Sequence, residues 1–375
     1  MCTGCFEFTF ADFSGKGYCS RQVAHNLSRT ENCRDSAWED EETRRIPKYR
    51  HCRITQKGAI RMILTCGEAL IDFISHTDSE GNLLFKPCPG GSPLNTAIAV
   101  ARLGVPAGFL GRLSTDMFGE QLMEHLTRNR IDPSFVLRSD APSALSFVKK
   151  KADDSAQYAF YAENSATWDL KNADIPYGLS GRAACFQFGS ISMLMRPFSD
   201  TVAGFIAQRR DSVVVSFDPN IRPGMIASRR DYLEKFEKWV PCCTIVKMSD
   251  EDLAWLYPEL SIEDGLFRML EMGASLAVIT CGEKGAMARN AEKSVSVPLY
   301  TMPLMDTVGA GDTFHGSMLA WLYRRRLLDR SSLAHMPEAK LREALRYAVK
   351  AAAINCSRQG ADPPWSDQLK SEDRA

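Results

Sequence analysis

Short apolar runs of strand length recur along this chain from Met62 onward, and stretches of helical periodicity separate them. No other feature constrains the fold as strongly. Met62 to Cys66 reads as a buried strand, and Phe109 to Leu110 and Phe186 to Gly189 as short ones. Val213 to Phe217 is a β-branched run that stops at Asp218-Pro219, and Cys243 to Val246 and Leu276 to Thr280 are further strand candidates. Between them lie helical patterns: Tyr232 to Trp239, Ile262 to Met272, and Asn95 to Leu103, which stops at Gly104 with Pro106 beyond. Strands that alternate with helices predict an α/β fold with a central, mostly parallel sheet covered on both faces.

One part breaks this rhythm. Leu145 to Lys150 and Gln157 to Tyr161 alternate in polarity and flank the polar turn Ala152-Asp153-Asp154-Ser155, a hairpin signature. Leu83 to Phe85, after Glu80-Gly81-Asn82, adds a strand. The simplest account is a small β lid, from about residues 83–90 and 145–163, projecting from a main domain over 62–365. An exposed lid edge seeks a partner strand, so a homodimer through the lid is a candidate assembly.

Composition narrows the partners. Of 375 residues 45% are hydrophobic, enough for a large core, and the formal net charge is zero, which points away from a nucleic-acid partner. No apolar run approaches the roughly 20 residues that span a bilayer, so no membrane partner is expected. The N-terminus lacks the basic-then-apolar order of a secretory signal and carries Glu7, Asp12, Glu31, Asp35 and an acidic run from Glu39 to Glu42. A cytoplasmic protein is the expectation. Twelve cysteines are present, but Cys66, Cys185 and Cys281 sit in apolar segments, where a free thiol behaves as a small hydrophobe. Residues 1–61 stand apart: Cys2, Cys5, Cys19, Cys33 and Cys52 among many charges, with little periodicity. Cys2-x-x-Cys5 is half a zinc site without a matching second pair, and His25 and His51 lie far apart. The segment reads as a disordered extension or as the product of a misassigned upstream start, so a chain starting at Met62 is expected to be as stable and active as the whole. Residues 366–375 read as a tail.

Three polar constellations fall at or just beyond strand ends, where open α/β sheets bind ligands. The first is Gly67-Glu68-Ala69-Leu70-Ile71-Asp72 with Gly90-Gly91-Ser92-Pro93-Leu94-Asn95 downstream. Asp72 can accept hydrogen bonds from hydroxyl groups, Gly90 and Gly91 let backbone approach a ligand, and Asn95 either donates to a hydroxyl or caps the helix that follows. The second is Asp218-Pro219-Asn220-Ile221-Arg222-Pro223, in which Arg222 suits phosphate contact or belongs to a solvated turn. The third joins Thr280-Cys281-Gly282-Glu283-Lys284-Gly285 to Asp306-Thr307-Val308-Gly309-Ala310-Gly311-Asp312. A loop that opens straight into a helix offers unpaired N–H groups to an anion. A carboxylate beside such a hole makes sense if Asp312 takes a proton from a hydroxyl while the loop steadies a phosphoryl group. No GxxxxGK[ST] stretch exists and no GxGxxG follows the first strand, so neither a Walker loop nor a Rossmann dinucleotide site is expected.

Gly90 to Thr96 and Asp306 to Asp312 resemble the two signatures of the PfkB (ribokinase-like) carbohydrate kinases, in order, separation and strand–helix context. The resemblance runs from about Met62 to about Trp365. Within the family, Gly67 to Phe73, Asp218 to Pro223, Val246 to Leu253 and the ending from Ala351 to Pro364 look most like fructokinases. The resemblance implies a three-layer ribokinase-like fold and ATP-dependent phosphorylation of a sugar primary hydroxyl, the 6-position of fructose first among candidates. It makes Asp312 the catalytic base and Gly309, Ala310, Gly311 and the Asp312 backbone the anion hole. It places Asp72, Gly90, Gly91, Asn95 and the lid residue Tyr161 with the sugar. Asn220, Arg222, Ser249, Thr280, Gly282, Gly285 and Asn355 fall with the nucleotide, Asn355 near the adenine. Mg²⁺ would accompany ATP, and a monovalent cation is a further candidate.

There are departures. Where the family commonly shows Asn-x-x-Glu, this chain has Ser249 and Asp252, so Asp252 would act on Mg²⁺ only through water. Phe160-Tyr161 is followed by Ala162-Glu163 rather than by the lid arginine of many fructokinases and ketodeoxygluconate kinases. Glu163 leans toward a neutral sugar over 2-keto-3-deoxygluconate, and a kinase of another neutral sugar is the alternative. A catalytically silent sugar- or nucleotide-binding regulator is a rival of another class, though such a relative would be expected to lose Asp312 or its glycines. The helix dipole is expected to keep Asp312 ionised at neutral pH.

Overall fold

The apolar runs become strands because both of their faces are covered. A computed structural model describes residues 61–150 and 156–371. The expectations for the N-terminal extension up to residue 60, its cysteines included, and for the turn at 152–155 lie outside the described residues. The chain runs through β1 (Met62–Cys66), β2 (Leu70–Thr77), β3 (Leu83–Gly90), α1 (Ser92–Arg102), β4 (Ala107–Ser114), α2 (Met117–Arg128), β5 (Val136–Ser139), β6 (Leu145–Lys150) and β7 (Ala156–Tyr161). There follow α3 (Leu179–Arg182), β8 (Ala183–Gly189), α4 (Phe198–Arg209), β9 (Val214–Asp218), α5 (Arg229–Trp239), β10 (Ile245–Ser249), α6 (Asp250–Leu256) and α7 (Ile262–Glu271). The last part holds β11 (Leu276–Thr280), β12 (Ala286–Asn290), β13 (Ser294–Val297), α8 (Ala310–Arg324), α9 (Arg330–Ala334), α10 (Glu338–Cys356) and α11 (Ser366–Ser371).

Nine strands form one sheet in the order β13-β12-β11-β10-β9-β8-β1-β4-β5. It is parallel from β5 to β11, and β12 and β13 continue it antiparallel. Alternation of side chains sends Ile63 and Cys185 to the face covered by α1, α8 and α10, against Leu94, Phe314 and Leu345. It sends Leu64, Phe186 and Phe188 to the other face, against Phe198 of α4, Phe236 of α5 and Leu266 of α7. Each such side chain contributes roughly 1.5–3 kcal/mol by leaving water, which explains why these strands read as unbroken apolar runs. Cys66, Cys185 and Cys281 are buried free thiols in this core, as their apolar surroundings suggest. Because the strands are parallel, Cys66, Gly189, Asp218, Ser249 and Thr280 all end at one edge of the sheet.

A second sheet, ordered β3-β2-β6-β7, stands apart and contains the strands expected for a lid. It also recruits β2, which pairs antiparallel with β3 from Leu70↔Gly90 to Thr77↔Leu83 and parallel with β6. Phe73 stacks on Phe147 at 4.7 Å, and Phe85 and Tyr161 meet Phe147 edge-on. Two local expectations shift. The first helix begins at Ser92, because Gly91 at φ 116° turns the chain and Pro93 supplies a preset first turn. Asn95 therefore lies inside the helix and does not cap it. The stretch after residue 365 begins with α11 rather than with a tail, since Leu369 is buried against the core.

Candidate active site

Helices α1 and α8 cross closely and bring the two glycine-bearing motifs together. A methyl group on Gly316 of α8 would lie 2.6 Å from the Thr96 carbonyl oxygen and 2.8 Å from Ala99 Cβ. At this approach the Ser92 hydroxyl donates to Asp312 Oδ1 at 2.6 Å and the Asn95 amide donates to Asp312 Oδ2 at 2.9 Å. Asn95 thus serves Asp312 directly. Ser92 is held in turn by Glu68, whose buried carboxylate accepts from the Ser92 N–H at 3.3 Å and from the Ser192 hydroxyl. Burial lifts the pKa of Asp312 above the ordinary carboxylate range, and the bonds from Ser92 and Asn95 only partly oppose it. Asp312 is only 9% exposed, and desolvation is the largest influence on its carboxyl.

The helix start beside Asp312 leaves backbone N–H donors without helical partners. Gly309 caps α8 at φ 73°, a conformation that favours glycine, and a methyl there would meet Ala361 Cβ at 2.6 Å. The Ala310 N–H turns back to the Thr307 carbonyl at 3.2 Å, so the first-turn donors aimed outward are those of Gly311 and Asp312. Behind them stands Lys247 of β10. Its Nζ would touch a methyl on Gly311 at 3.1 Å, and it pairs with Asp218 of β9 at 2.8 Å. Both partners are buried. Asp218 is held below the usual carboxylate range by the Lys247 charge despite the opposing cost of burial. Lys247 is raised by Asp218 although burial pulls the other way. The ion pair is therefore charged on both sides. His315, buried one turn after Asp312, sits 2.7 Å from the Ser216 hydroxyl through Nε2 and 3.6 Å from Asp218 through Nδ1. Burial lowers its pKa and keeps it neutral.

A cavity of about 750 Å³ opens from this end of the sheet. Its lining includes Asn220, Arg222, Ser249, Thr280, Gly282 and Gly285, the residues expected beside a nucleotide, with Lys247 and Gly311 at one end. Ser249 caps α6 by accepting from the Asp252 N–H at 3.0 Å, and Asp252 returns the bond to the Ser249 N–H at 2.9 Å, a reciprocal box. The other oxygen of Asp252 accepts from the Ile221 N–H at 2.8 Å, tying the loop after β9 to the first turn of α6. Arg222 donates to Asn220 Oδ1 at 2.8 Å. Asn355 is a correction: it does not line the cavity. It is fully buried and donates to the Val308 carbonyl at 2.8 Å, so it fixes the loop before Gly309. Its neighbours Ala352, Ala353 and Cys356 take the cavity wall instead.

Asp72 lies on the lid strand β2, opposite Cys88 and Ser146. Burial pushes its pKa up to about 6, against the pull of Ser146 and of the Arg222 guanidinium. Gly90 comes so close that a methyl there would overlap Asp72 Oδ2 at 2.2 Å. Tyr161 is 65% exposed on the lid edge against Phe147, away from the Asp312 cluster's hydrogen bonds.

Against this geometry, residues 61–368 match the family model described as pfkB family carbohydrate kinase. The chain belongs to the pfkB family of carbohydrate kinases. It is 38% identical over 281 residues to a fructokinase of Rhizobium leguminosarum bv. trifolii, covering 75% of this chain and 86% of that one. Among solved structures it resembles the fructokinase of Xylella fastidiosa with bound ATP, at TM-score 0.75 and 27% identity over 84% of this chain and 99% of that one. A double-mutant fructokinase of Vibrio cholerae O395, in fructose, ADP and potassium ion bound form, matches at TM-score 0.70 and 27% identity over 84% and 99% of the two chains. The chain is a carbohydrate kinase most similar to fructokinases. Two residues of this pfkB-family site escaped the sequence reading. Lys247 is an isolated lysine inside an apolar strand, a pattern that signals a paired buried charge. Glu68 sits two residues past the end of β1, between Gly67 and Ala69, and its partner Ser192 lies 124 residues away.

Proposed function

We propose that this kinase transfers the terminal phosphoryl group of ATP to the 6-hydroxyl of fructose. The observation that carries the reading is the convergence on Asp312. One carboxylate, oriented by Ser92 and Asn95 from the other motif, stands next to the Gly311 and Asp312 N–H groups and the Lys247 end of the cavity. Phosphoryl transfer asks the protein for positioning, charge neutralisation and a proton acceptor. Asp312 accepts the hydroxyl proton as the oxygen attacks. The two N–H groups and the Lys247 ammonium face the transferred group, and Asp218 keeps that ammonium charged and in place. Asp72 binds sugar hydroxyls from the lid, whose closure excludes water. Gly282, Gly285 and Thr280 border the nucleotide. A neutral sugar suits the exposed Glu163; 2-keto-3-deoxygluconate, an acid, would meet like charge there.

A divalent cation fits the residues present. Asp218 Oδ1 is buried without a hydrogen-bond partner among the described residues. Asp252 has both oxygens engaged by backbone N–H groups and would hold Mg²⁺ through water. Bound there, Mg²⁺ offsets phosphate charge. The buried Asn355 Oδ1 near Gly309, without a hydrogen-bond partner among the described residues, offers an oxygen of the kind a monovalent cation takes. The lid supports a homodimer: β3 and β7 are its edges, and Leu83, Leu84 and Phe85 are exposed on β3.

Asp312→Asn keeps the shape and both donors' neighbours but removes the base. Its kcat for fructose should fall by about 10²-fold or more, the scale of general-base loss, with ATP binding by calorimetry little changed. Near-normal turnover would refute Asp312 as the base. A panel of neutral and acidic sugars, read by ADP release, tests fructose itself; a preference for the acidic sugar would overturn the assignment.

A further inference from the structure

A second cavity, of about 520 Å³, lies on the far side of the nucleotide wall, between α8, α10, α11 and the chain after β13. Arg324 and Arg325 enter it from the end of α8, and Arg346 and Lys350 from one face of α10. Among the described residues Glu343 is the one carboxylate in its lining. Among the described residues no carboxylate lies within ion-pair distance of Arg324, Arg325 or Arg346. Arg325 rests on the Trp321 ring at 5.0 Å, and Arg324 donates to the Tyr347 hydroxyl at 3.4 Å. Two basic residues at a helix C-terminus complement its dipole. That accounts for Arg324 and Arg325 but not for Arg346, which comes from the middle of another helix and converges on the same space. Three guanidiniums around a concave, aromatic-walled cavity form a site with charge to spare for an anion. The size is that of a metabolite pocket.

We propose that this cavity binds a small phosphorylated metabolite carrying at least two negative charges, and that its occupancy is coupled to the nucleotide. The coupling follows from shared walls. Leu299, Tyr300 and Val349 line both cavities. Lys350 Nζ lies 5.5 Å from the Tyr300 ring centre, so an anion that draws on the cationic side also bears on the partition. An effector that favours one setting of the partition must change nucleotide affinity, and nucleotide must change effector affinity by the same factor.

Calorimetric titration of the full chain with inorganic pyrophosphate, without divalent cations and with ADP filling the nucleotide cavity, tests this. One bound pyrophosphate per chain is expected. Arg324→Gln/Arg346→Gln should weaken it by about tenfold or more, as expected for loss of charge-assisted bonds, while Glu343→Gln should tighten it. Lys247→Met, which alters only the nucleotide side, should leave it in place. In the wild type the ADP affinity should shift when pyrophosphate saturates, and the double variant should abolish that shift. The double variant should keep the wild-type kcat, which also checks its folding. Absence of binding with ADP present, loss of it in Lys247→Met alone, or indifference to both the double variant and Glu343→Gln would overturn the proposal.

Discussion

At the scale of single residues, Asp72 shows how a functional group can cost stability. Its ordinary pKa is 3.8 and burial in the folded chain raises it to about 6. The sign is that of a carboxyl that holds its proton more tightly when folded: the folded form loses stability as pH rises from about 4 to about 6 and does not regain it above. Asp72→Asn should therefore be more stable than wild type at pH 7, by up to about 3 kcal/mol, and the difference should vanish below pH 4. If ionised Asp72 holds the sugar, the same substitution raises KM for sugar, and wild-type kcat/KM falls as pH drops through about 6. Thermal unfolding at pH 4 and pH 7, with sugar kinetics beside it, checks both halves. Asp312 follows a related logic. Its raised pKa means that protonation, which disables a base, sets in at a higher pH than for an exposed aspartate, so kcat should rise with pH through that range.

Among elements, the crossing of α1 and α8 decides whether the site exists. Asp312 and Asn95 are 217 residues apart in the chain and share a hydrogen bond only because Gly316 lets the helices approach. Gly316→Ala would force a methyl against the Thr96 carbonyl oxygen. It should destabilise by roughly 1–3 kcal/mol, the cost of overpacking, and lower kcat more than it raises the KM of ATP, because the base moves and the nucleotide wall does not. Chemical denaturation and steady-state kinetics on the one variant separate these effects. The α6 start makes a complementary point. Ser249 and Asp252 cap each other, so their departure from the family's common Asn-x-x-Glu keeps a stable helix start while shortening the reach of the acid.

For the molecule as a whole, the family match begins at residue 61 and the sheet at Met62. Arg61 is already part of the fold: its guanidinium donates to the Ala183 carbonyl at 2.7 Å, and the Arg61 carbonyl accepts from the Tyr323 hydroxyl at 2.6 Å. A chain starting at Arg61 should retain the kcat and melting temperature of the full chain, and a start at Met62 should melt slightly lower. A large loss in the chain starting at Arg61 would assign the preceding residues a structural role. Leu84→Glu on the lid edge should reduce any dimer to monomer in sedimentation, since it places charge where an apolar strand edge would pair.

Much of this was legible in the linear chain. Period and composition determine the α/β class, because a buried parallel strand must be apolar on both faces and a crossover must be helical. The glycine-bearing loops and Asp312 were legible too, since a tight turn into a helix has few sequence solutions. Tertiary structure alone decided what those residues touch. It made Asn95 a partner of Asp312, moved Asn355 from the nucleotide to the loop behind Gly309, and set Lys247 beside Gly311 with Asp218 as its counter-charge. It also buried Asp312, so that desolvation raises its pKa. The physical reason is common to all four. Desolvation and hydrogen-bond pairing depend on neighbours brought from distant parts of the chain, and local pattern carries no information about them.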